Sequence, residues 1–266
     1  MHPGSIEIQE VNGIQIVKAG GEGPNILFLH DSGQPPAGMK RQILQLAEVG
    51  KVVAPNLFDI AGTLARKHIH PTYEDMVWEF NQLELLSSRD KTGIVAVSLG
   101  AGFGWEYAAQ KPQEVEWITT GSALGYPLHR SLLGWLAEFT RVSVQTARIP
   151  KEIRSRDEGI RLIKQQFKKD PRGVLETFRL AMHTDSTEQL KSLQSPVELL
   201  WGRNDHYTPI WSAQKMKGLL PNARLEEVSD YYHYWYQFEP EKLTGPAIER
   251  ARSLHTLNTP DVHFGP

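Results

Sequence analysis

The stretch IVAVSLGAGFG, residues 94–104, decides how the rest of this sequence is interpreted. Its first four residues are apolar, as in a strand buried on both faces, and the glycine-rich residues after Ser98 predict the start of a helix. A serine on such a sharp turn is pushed clear of the sheet, so its hydroxyl faces a cleft. The small residues Ala96 and Gly100 let strand and helix pass closely. Ser98 is therefore a candidate nucleophile. The alternative interpretation is that it only begins a helix.

Predicted strands and helices alternate on both sides of this stretch. The N-terminus is interpreted as a β-hairpin, because Asn12-Gly13 favours a type I′ turn between two apolar strands. Strand–helix units then repeat, which predicts an α/β fold with a mostly parallel twisted sheet and helices on both faces. The predicted strands lie at 26–29, 52–54, 94–97, 115–119, 197–201 and 225–228, and the predicted helices at 37–49, 72 to the mid-80s, 99–110 and 238–254.

Residues 126–190 interrupt this alternation, since they contain helical patterns and no convincing strand pattern. We predict that they form a helical cap inserted over the sheet. The catalytic core domain is then expected to consist of residues 1–125 and 191–255, and residues 256–266 are expected to form a loose tail.

Composition excludes several classes of protein. The chain has 266 residues, 40% of them hydrophobic, and a formal net charge of -2, so it has no basic excess to attract nucleic acid. It has no cysteine, which rules out disulfides, thiol catalysis and cysteine-ligated metals. The sequence shows neither a signal-peptide pattern nor an apolar run of membrane-spanning length. We expect a cytoplasmic monomer or homodimer that acts on a small molecule, with no metal, organic cofactor, nucleic-acid partner or membrane.

Ten histidines compete for the role of the base that a serine hydroxyl needs before it becomes a useful nucleophile. His233 is best placed, because it follows the last predicted strand and precedes the final helix. Because aromatic residues surround His233, the alternative interpretation is that it only packs in an aromatic cluster. His30 is the rival and is interpreted as structural. His68 and His70 share a spacing that some metal sites use, but without a third ligand nearby we interpret them as surface-loop residues.

Asp205 is the candidate acid that orients the histidine. It follows the predicted strand 197–201 at its carboxyl end, where the sites of open α/β sheets gather. Its place in the chain between Ser98 and His233 gives the order serine, acid, histidine. The alternative interpretation is that Asp205 only helps to form a turn. The other aspartates considered, which lack this combination, are Asp31, Asp59, Asp185 and Asp230.

Acyl transfer develops negative charge on the substrate carbonyl oxygen, and prearranged donors stabilise that charge in an oxyanion hole. The backbone N–H of Leu99 follows the candidate nucleophile at a helix start and is the first candidate donor. The second donor is expected from the loop after the third strand, with Ser32 as first choice and Asp31 as second. A carboxylate directed at the oxyanion would oppose catalysis, so the side chain of Asp31 should point away or be paired.

By its motifs the chain resembles the α/β-hydrolase superfamily, in the cap-bearing esterase and C–C hydrolase branch, over nearly its whole length. The motifs that carry the resemblance occur in the family's order at His30–Gly33, Ala96–Gly100, Leu199–Asp205 and His233–Pro240. Departures occur at Ala96, at Asp31, where glycine is usual, and at Tyr232. Asn56, Asp59 and Ala61 replace the family's glycine-rich run, so a differently shaped loop is expected there.

The resemblance implies hydrolysis through an acyl-enzyme, with Ser98 as nucleophile, His233 as general base and Asp205 as its orienting acid. A carboxylesterase acting on small or medium esters is the preferred interpretation. The alternatives are a C–C bond hydrolase of the vinylogous diketone type, because Ser32 and Gly33 resemble that branch's loop, and a small-molecule binding or receptor protein that keeps the triad. Four cap residues are candidates to line the substrate pocket, although packing between cap helices is the favoured explanation for them: Trp135, Phe139, Phe178 and Met182.

Overall fold

The computed structural model describes residues 5–67, 70–86, 90–147 and 156–258. The strands are β1 (Glu7–Val11), β2 (Ile14–Ala19), β3 (Asn25–Leu29), β4 (Lys51–Pro55), β5 (Thr92–Val97), β6 (Val115–Gly121), β7 (Val197–Gly202) and β8 (Ala223–Ser229). They form one sheet in the spatial order β1-β2-β4-β3-β5-β6-β7-β8. β1 and β2 form the predicted hairpin around Asn12 and Gly13, which both have positive φ. β2 is also antiparallel to β4, and the remaining neighbours are parallel.

Helices cover both faces of the sheet. They are α1 (Lys40–Leu46), α2 (Leu57–Arg66), α3 (Tyr73–Asn81), α4 (Leu99–Gln110), α5 (Leu132–Ala147), α6 (Arg156–Lys169), α7 (Pro171–Met182), α8 (Thr187–Ser192), α9 (Ile210–Leu219), α10 (Trp235–Phe238) and α11 (Pro240–Asn258). Apolar residues of α1, α10 and α11 share one core cluster with the sheet, and those of α2, α3, α4, α8 and α9 share the other. The structure therefore confirms the predicted α/β architecture.

The continuous apolar runs explain why the central strands are buried on both sides. In β3, Ile26 and Phe28 belong to one core cluster, and Leu27 and Leu29 belong to the other. This alternation is the period of two that side chains have along a strand. β5 ends at Val97, so Ser98 lies at the carboxyl end of a parallel strand in the middle of the sheet.

Three helices have boundaries that differ from the sequence prediction. The helix predicted over 37–49 is α1, which spans only Lys40–Leu46, because residues 36–39 form a separate 3-10 turn before it. The Thr72 cap is present as predicted, since Thr72 and Asp75 form a reciprocal capping box at the start of α3. However, α3 ends at Asn81 instead of in the mid-80s, and Glu84 has a φ of 50°, which an α-helix does not accommodate. The final helix begins at Pro240 instead of residue 238, because α10 forms a separate turn before it.

Helix α2 occupies the segment where a differently shaped loop was expected. The side chain of Asn56 caps the helix by accepting a hydrogen bond from the N–H of Phe58 at 3.1 Å. Asp59 lies in the first helical turn, where a negative charge interacts favourably with the helix dipole. The segment is thus helical from Leu57 onward, and the glycines that the family uses there are not needed.

The segment predicted as the cap, residues 126–190, contains α5, α6, α7 and the start of α8, which lie between β6 and β7 in the chain. Among the described residues of 126–190 there is no strand. Helix α7 contacts α2 closely at Gly173, where a Cβ atom would come within 2.1 Å of the Phe58 carbonyl oxygen. Asp170 caps α7 by accepting from the Gly173 N–H and forms an ion pair with Arg66 of α2. The second half of the cap is therefore anchored on the core.

The predicted tail overlaps the end of the final helix, because α11 continues to Asn258. Residues 259–266 lie outside the described part of the chain. Within the described part, no helix combines the length and the apolar character needed to cross a bilayer.

Candidate active site

Ser98 lies at the turn between β5 and α4, with a φ of 49° and no exposed surface. Its N–H donates to the carbonyl of Gly121 at 3.0 Å, which holds the turn against β6. A non-glycine residue in this left-handed region is strained, and such strain is typical of functional sites. Gly100 makes the turn possible, because a Cβ atom there would lie 2.5 Å from the Leu29 carbonyl oxygen.

His233 connects Ser98 to Asp205. Its Nε2 lies 2.9 Å from the Ser98 hydroxyl oxygen, and its Nδ1 lies 2.9 Å from Oδ2 of Asp205. All three residues are buried. Because a carboxylate only accepts, the hydrogen of the neutral ring belongs on Nδ1, which leaves Nε2 free to accept from the hydroxyl of Ser98. The structure thus brings the three predicted triad residues together in the order that proton transfer from a serine requires.

Thr208, which sequence reasoning missed, holds the carboxylate of Asp205. Its N–H donates to Oδ1 at 2.8 Å, and its hydroxyl lies 2.7 Å from Oδ2. The same hydroxyl lies 3.2 Å from Nδ1 of His233, so it is close to the whole Asp205–His233 contact. The signal in the sequence was an aspartate followed three residues later by a threonine, a spacing at which an aspartate side chain accepts from a backbone N–H as it does in helix N-caps.

Arg130, at the start of the cap, supports the loop that carries Asp205. Its guanidinium donates to the carbonyls of His206 and Tyr207, both at 2.6 Å. Tyr207 in turn packs its ring 4.6 Å from that of His233 and 5.2 Å from that of Trp135. Burial lowers the pKa of Arg130 and raises the pKa of Tyr207 to about 12, so the phenol stays neutral at physiological pH.

The oxyanion-hole candidates lie beside Ser98. Leu99 is the first residue of α4, so its N–H has no acceptor within the helix. Among the described residues, the N–H groups of Leu99 and Ser32 donate to no backbone or side-chain acceptor. Both are thus available to a ligand, and the assignment of Ser32 as the second donor stays a prediction.

The side chain of Asp31 was expected to point away from the oxyanion or to be paired, and it is paired with hydrogen-bond donors. Its carboxylate accepts hydrogen bonds from the N–H groups of Gly33 and Gln34 at 2.5 and 3.0 Å. It also accepts from the hydroxyl of Tyr236 at 3.0 Å and from the side-chain amide of Gln237 at 3.2 Å. Burial raises the pKa of Asp31.

His30 uses both ring nitrogens for structural contacts. Its Nε2 accepts from the N–H of Leu57 at 2.8 Å, so Nδ1 carries the hydrogen and donates to the Asp31 carbonyl at 2.6 Å. Burial lowers its pKa to about 4, which keeps the ring neutral. His30 therefore holds the oxyanion loop to the start of α2 and has no free nitrogen with which to act as a base.

The four cap candidates divide into two pairs. Trp135 and Met182 line a cavity of about 440 Å³ between the two ends of the cap insertion. Phe139 and Phe178 pack against each other instead, with ring centroids 6.1 Å apart. Tyr207 connects the cavity wall to the triad, because its ring contacts both Trp135 and His233.

The other aspartates considered as acids contact different partners. Asp59 accepts from the Gln166 amide at 2.7 Å and from Lys169 at 3.0 Å. Asp185 accepts from Thr187, and Asp230 pairs with Arg203. In the described part of the chain, no group of three or more histidine, cysteine, aspartate or glutamate side chains is arranged so that it could hold a metal ion. His70 contacts Glu176, and His68 lies outside the described residues.

Comparison with known proteins places this geometry in a known fold. No family model matches the chain. It is 24% identical to an uncharacterized protein of Mycobacterium tuberculosis over 90% of this chain and 79% of that protein. The chain is also similar in structure to a bacterial membrane phospholipase A described as a virulence factor, with a TM-score of 0.73, 18% identity and coverage of 96% of this chain and 87% of that chain.

Two further solved structures resemble it over their whole length. One is a serine hydrolase involved in carbazole degradation, with a TM-score of 0.70, 17% identity and coverage of 94% of this chain. The other is the 2-hydroxy-6-oxo-6-phenylhexa-2,4-dienoate hydrolase of Rhodococcus, with a TM-score of 0.65, 18% identity and coverage of 94% of this chain. At these identities the likeness is one of fold, and the chain has the α/β-hydrolase fold.

Proposed function

We propose that this protein is a serine hydrolase that cleaves small or medium carboxylic esters through an acyl-enzyme. The observation that carries the proposal is the buried pair of 2.9 Å contacts that joins Ser98, His233 and Asp205 at the carboxyl end of the sheet. A hydroxyl in contact with a neutral imidazole, whose other nitrogen faces a carboxylate, is the arrangement that activates serine as a nucleophile.

Each step of the reaction has a group in place. Ser98 Oγ attacks the ester carbonyl carbon while Nε2 of His233 takes its proton, and Asp205 stabilises the imidazolium. His233 then gives that proton to the departing alcohol oxygen as the C–O bond breaks, which leaves the acyl group on Ser98. A water molecule deprotonated by His233 attacks the acyl carbon, and the acid leaves as Ser98 regains its proton. The N–H groups of Leu99 and Ser32 are the proposed donors to the oxyanion.

The cavity between the ends of the cap is the proposed binding place for the part of the substrate remote from the reacting bond. Trp135 and Met182 supply apolar surface there, while Arg130 and Thr184 supply polar groups. Ser98 has no exposed surface, so a substrate reaches it only when neighbouring side chains move. Tyr207 is the side chain between the cavity and His233, and its displacement would join the two.

Labelling with a fluorophosphonate probe tests the nucleophile. The wild-type protein should be labelled rapidly and should hydrolyse p-nitrophenyl esters of short acids. Ser98→Ala should abolish both, because no other hydroxyl is assigned a base. The matched control is Ser192→Ala, which removes an exposed serine on α8 and should leave labelling unchanged. If the wild-type protein binds esters but is not labelled, the proposed hydrolase function is wrong, and a binding protein that keeps the triad is favoured.

A C–C bond hydrolase is the second candidate. It is favoured by the Ser32-Gly33 sequence of the oxyanion loop and by the likeness to the Rhodococcus dienoate hydrolase. Parallel assays with the ester panel and a vinylogous diketone decide between the two. Turnover of the diketone that exceeds ester turnover, and is lost in Ser98→Ala, would replace the esterase by this second function.

A further inference from the structure

The carboxylate of Asp31 joins two segments that the proposed reaction needs. Its Oδ1 accepts from Gly33 and Gln34 in the oxyanion loop. Its Oδ2 accepts from Tyr236 and Gln237, which follow His233 in the chain. One side chain therefore ties the loop expected to supply an oxyanion donor to the segment that carries the general base.

Burial raises the pKa of Asp31, and its hydrogen-bond donors act in the opposite direction by favouring the ionised carboxylate. Three of its four donors are N–H groups of Gly33, Gln34 and Gln237, and an N–H can only donate. No lysine or arginine forms an ion pair with it in the described part of the chain. The negative charge is thus satisfied by hydrogen bonds and is not cancelled by a cation, in a region where low dielectric strengthens electrostatic interactions.

Asp31 and His233 are close enough for their charges to interact. Tyr236 contacts both groups, because its hydroxyl donates to Asp31 and its ring lies 6.3 Å from the imidazole. An uncancelled negative charge near a histidine favours the imidazolium form. Asp205 supplies the direct contact, and Asp31 adds a second negative charge from the side of the oxyanion loop.

The other titratable groups around His233 stay in one charge state near neutral pH. Burial raises the pKa of Tyr207 to about 12 and holds those of Tyr234 and Tyr236 well above their ordinary value. His30, which donates to the Asp31 carbonyl, is neutral because burial lowers its pKa to about 4. The charged or titratable groups that face this region are Asp205, Asp31, Arg130, Tyr207, Tyr234, Tyr236 and His30.

We propose that Asp31 is a positioning residue with two roles, for which the proposed serine-hydrolase function of the same site is the premise. It holds the oxyanion loop against the His233 segment, and its charge stabilises the imidazolium that forms when Ser98 attacks. The cost of a carboxylate close to the oxyanion loop is limited, because the carboxylate is directed at Gly33, Gln34, Tyr236 and Gln237.

Asp31→Asn tests both roles. The substitution keeps the size of the side chain but removes the charge and replaces one acceptor by a donor that faces other donors. We expect kcat for a p-nitrophenyl ester to fall about 10- to 100-fold. The acid limb of the kcat/KM profile should move to lower pH, because the imidazolium loses a stabilising charge. The matched control is Asp90→Asn, an exposed aspartate outside the site, which should change neither quantity.

Tyr236→Phe separates the two roles, because it removes one link between the segments and keeps the charge of Asp31. It should lower kcat by a smaller factor than Asp31→Asn and leave the acid limb in place. An unmoved acid limb in a folded Asp31→Asn protein would overturn the charge role. An unchanged kcat in both variants would overturn the positioning role.

If Asp31→Asn does not fold, Tyr236→Phe and Gln237→Leu keep the proposal testable. Each should reduce kcat, with KM nearly constant, since each removes one contact to Oδ2. Unchanged kcat in both would overturn the proposal. Failure of the serine-hydrolase function itself has a different signature, because the wild type would then resist the fluorophosphonate probe.

Discussion

The catalytic cluster and the junction between cap and core bury carboxylates in opposite ways. At the junction each buried carboxylate meets a cation: Asp59 contacts Lys169, and Asp170 contacts Arg66. In the cluster, Asp205 and Asp31 meet backbone N–H groups, hydroxyls, an amide and the imidazole of His233. A carboxylate that only fastens two elements can be neutralised by a partner, whereas one that acts on an imidazole has to keep its charge.

This contrast predicts that cluster carboxylates govern activity and junction carboxylates govern stability. The largest effect is expected for Asp205→Asn, which should lower kcat by about 10³–10⁴-fold because the amide no longer fixes the reactive tautomer of His233. The melting temperature should change little. Asp230→Asn is the control, since Asp230 forms an exposed ion pair at the end of β8. Ester turnover within tenfold of wild type in Asp205→Asn would contradict the assignment of the acid.

Protonation of the buried, neutral His30 should dominate the loss of folding stability in acid. The pKa of His30 is about 4 in the folded protein and about 6.5 in an unfolded chain, so the unfolded state binds a proton first as pH falls. The contribution of His30 is therefore complete above pH 6.5 and is lost between pH 6.5 and 4, by roughly 3 kcal/mol in total.

Urea unfolding of His30→Gln at several pH values measures this contribution. The variant should be less stable than wild type at pH 7, and its stability should fall less steeply between pH 6.5 and 4. His206→Gln replaces an exposed histidine and should keep the wild-type slope. Equal slopes for wild type and His30→Gln would show that another group causes the acid sensitivity.

The smallest effect is expected at the junction between cap and core. Asp59→Asn removes the charge that Lys169 contacts and one acceptor for Gln166 or the N–H of Gln15, so unfolding should become easier by about 2 kcal/mol. Ester kcat should stay within about twofold of wild type, because Asp59 does not contact the triad.

Glu10→Gln is the control for that variant. Glu10 lies 4.0 Å from the same Lys169 but is exposed, so its loss should change the free energy of unfolding by less than about 0.5 kcal/mol. If Asp59→Asn lowers ester kcat by clearly more than about twofold, the junction carboxylate also governs activity and the predicted difference between the two regions is wrong.

The outline of the site was predictable because catalytic residues follow strand ends. Ser98, Asp205 and His233 each follow a strand, and parallel strands place their carboxyl ends at one edge. The roles of Thr208 and Arg130 were not predictable in the same way. Each acts on Asp205 or its loop through contacts whose partners depend on how the strand-end loops and the cap fold together.

The helical character of residues 57–66 also escaped prediction. Its capping signal, Asn56 with Asp59 in the first turn, was visible in the sequence but was interpreted as an altered loop. What completes this helix is tertiary: the ring of His30 accepts the N–H of Leu57, and α7 packs against it at Gly173. Contacts between segments so far apart in the chain leave no local periodicity.

The strands, several of the helices and the three candidate catalytic residues could be predicted from the sequence alone, because periodicity and strand-end position are local properties. Only the tertiary structure decided which partners the buried charges have. Asp31 could be judged from sequence as out of place, but its link to the His233 segment appears only when residues more than two hundred positions apart meet. Desolvation and hydrogen bonding act through space, and they set the chemistry of a carboxyl group after the chain has folded.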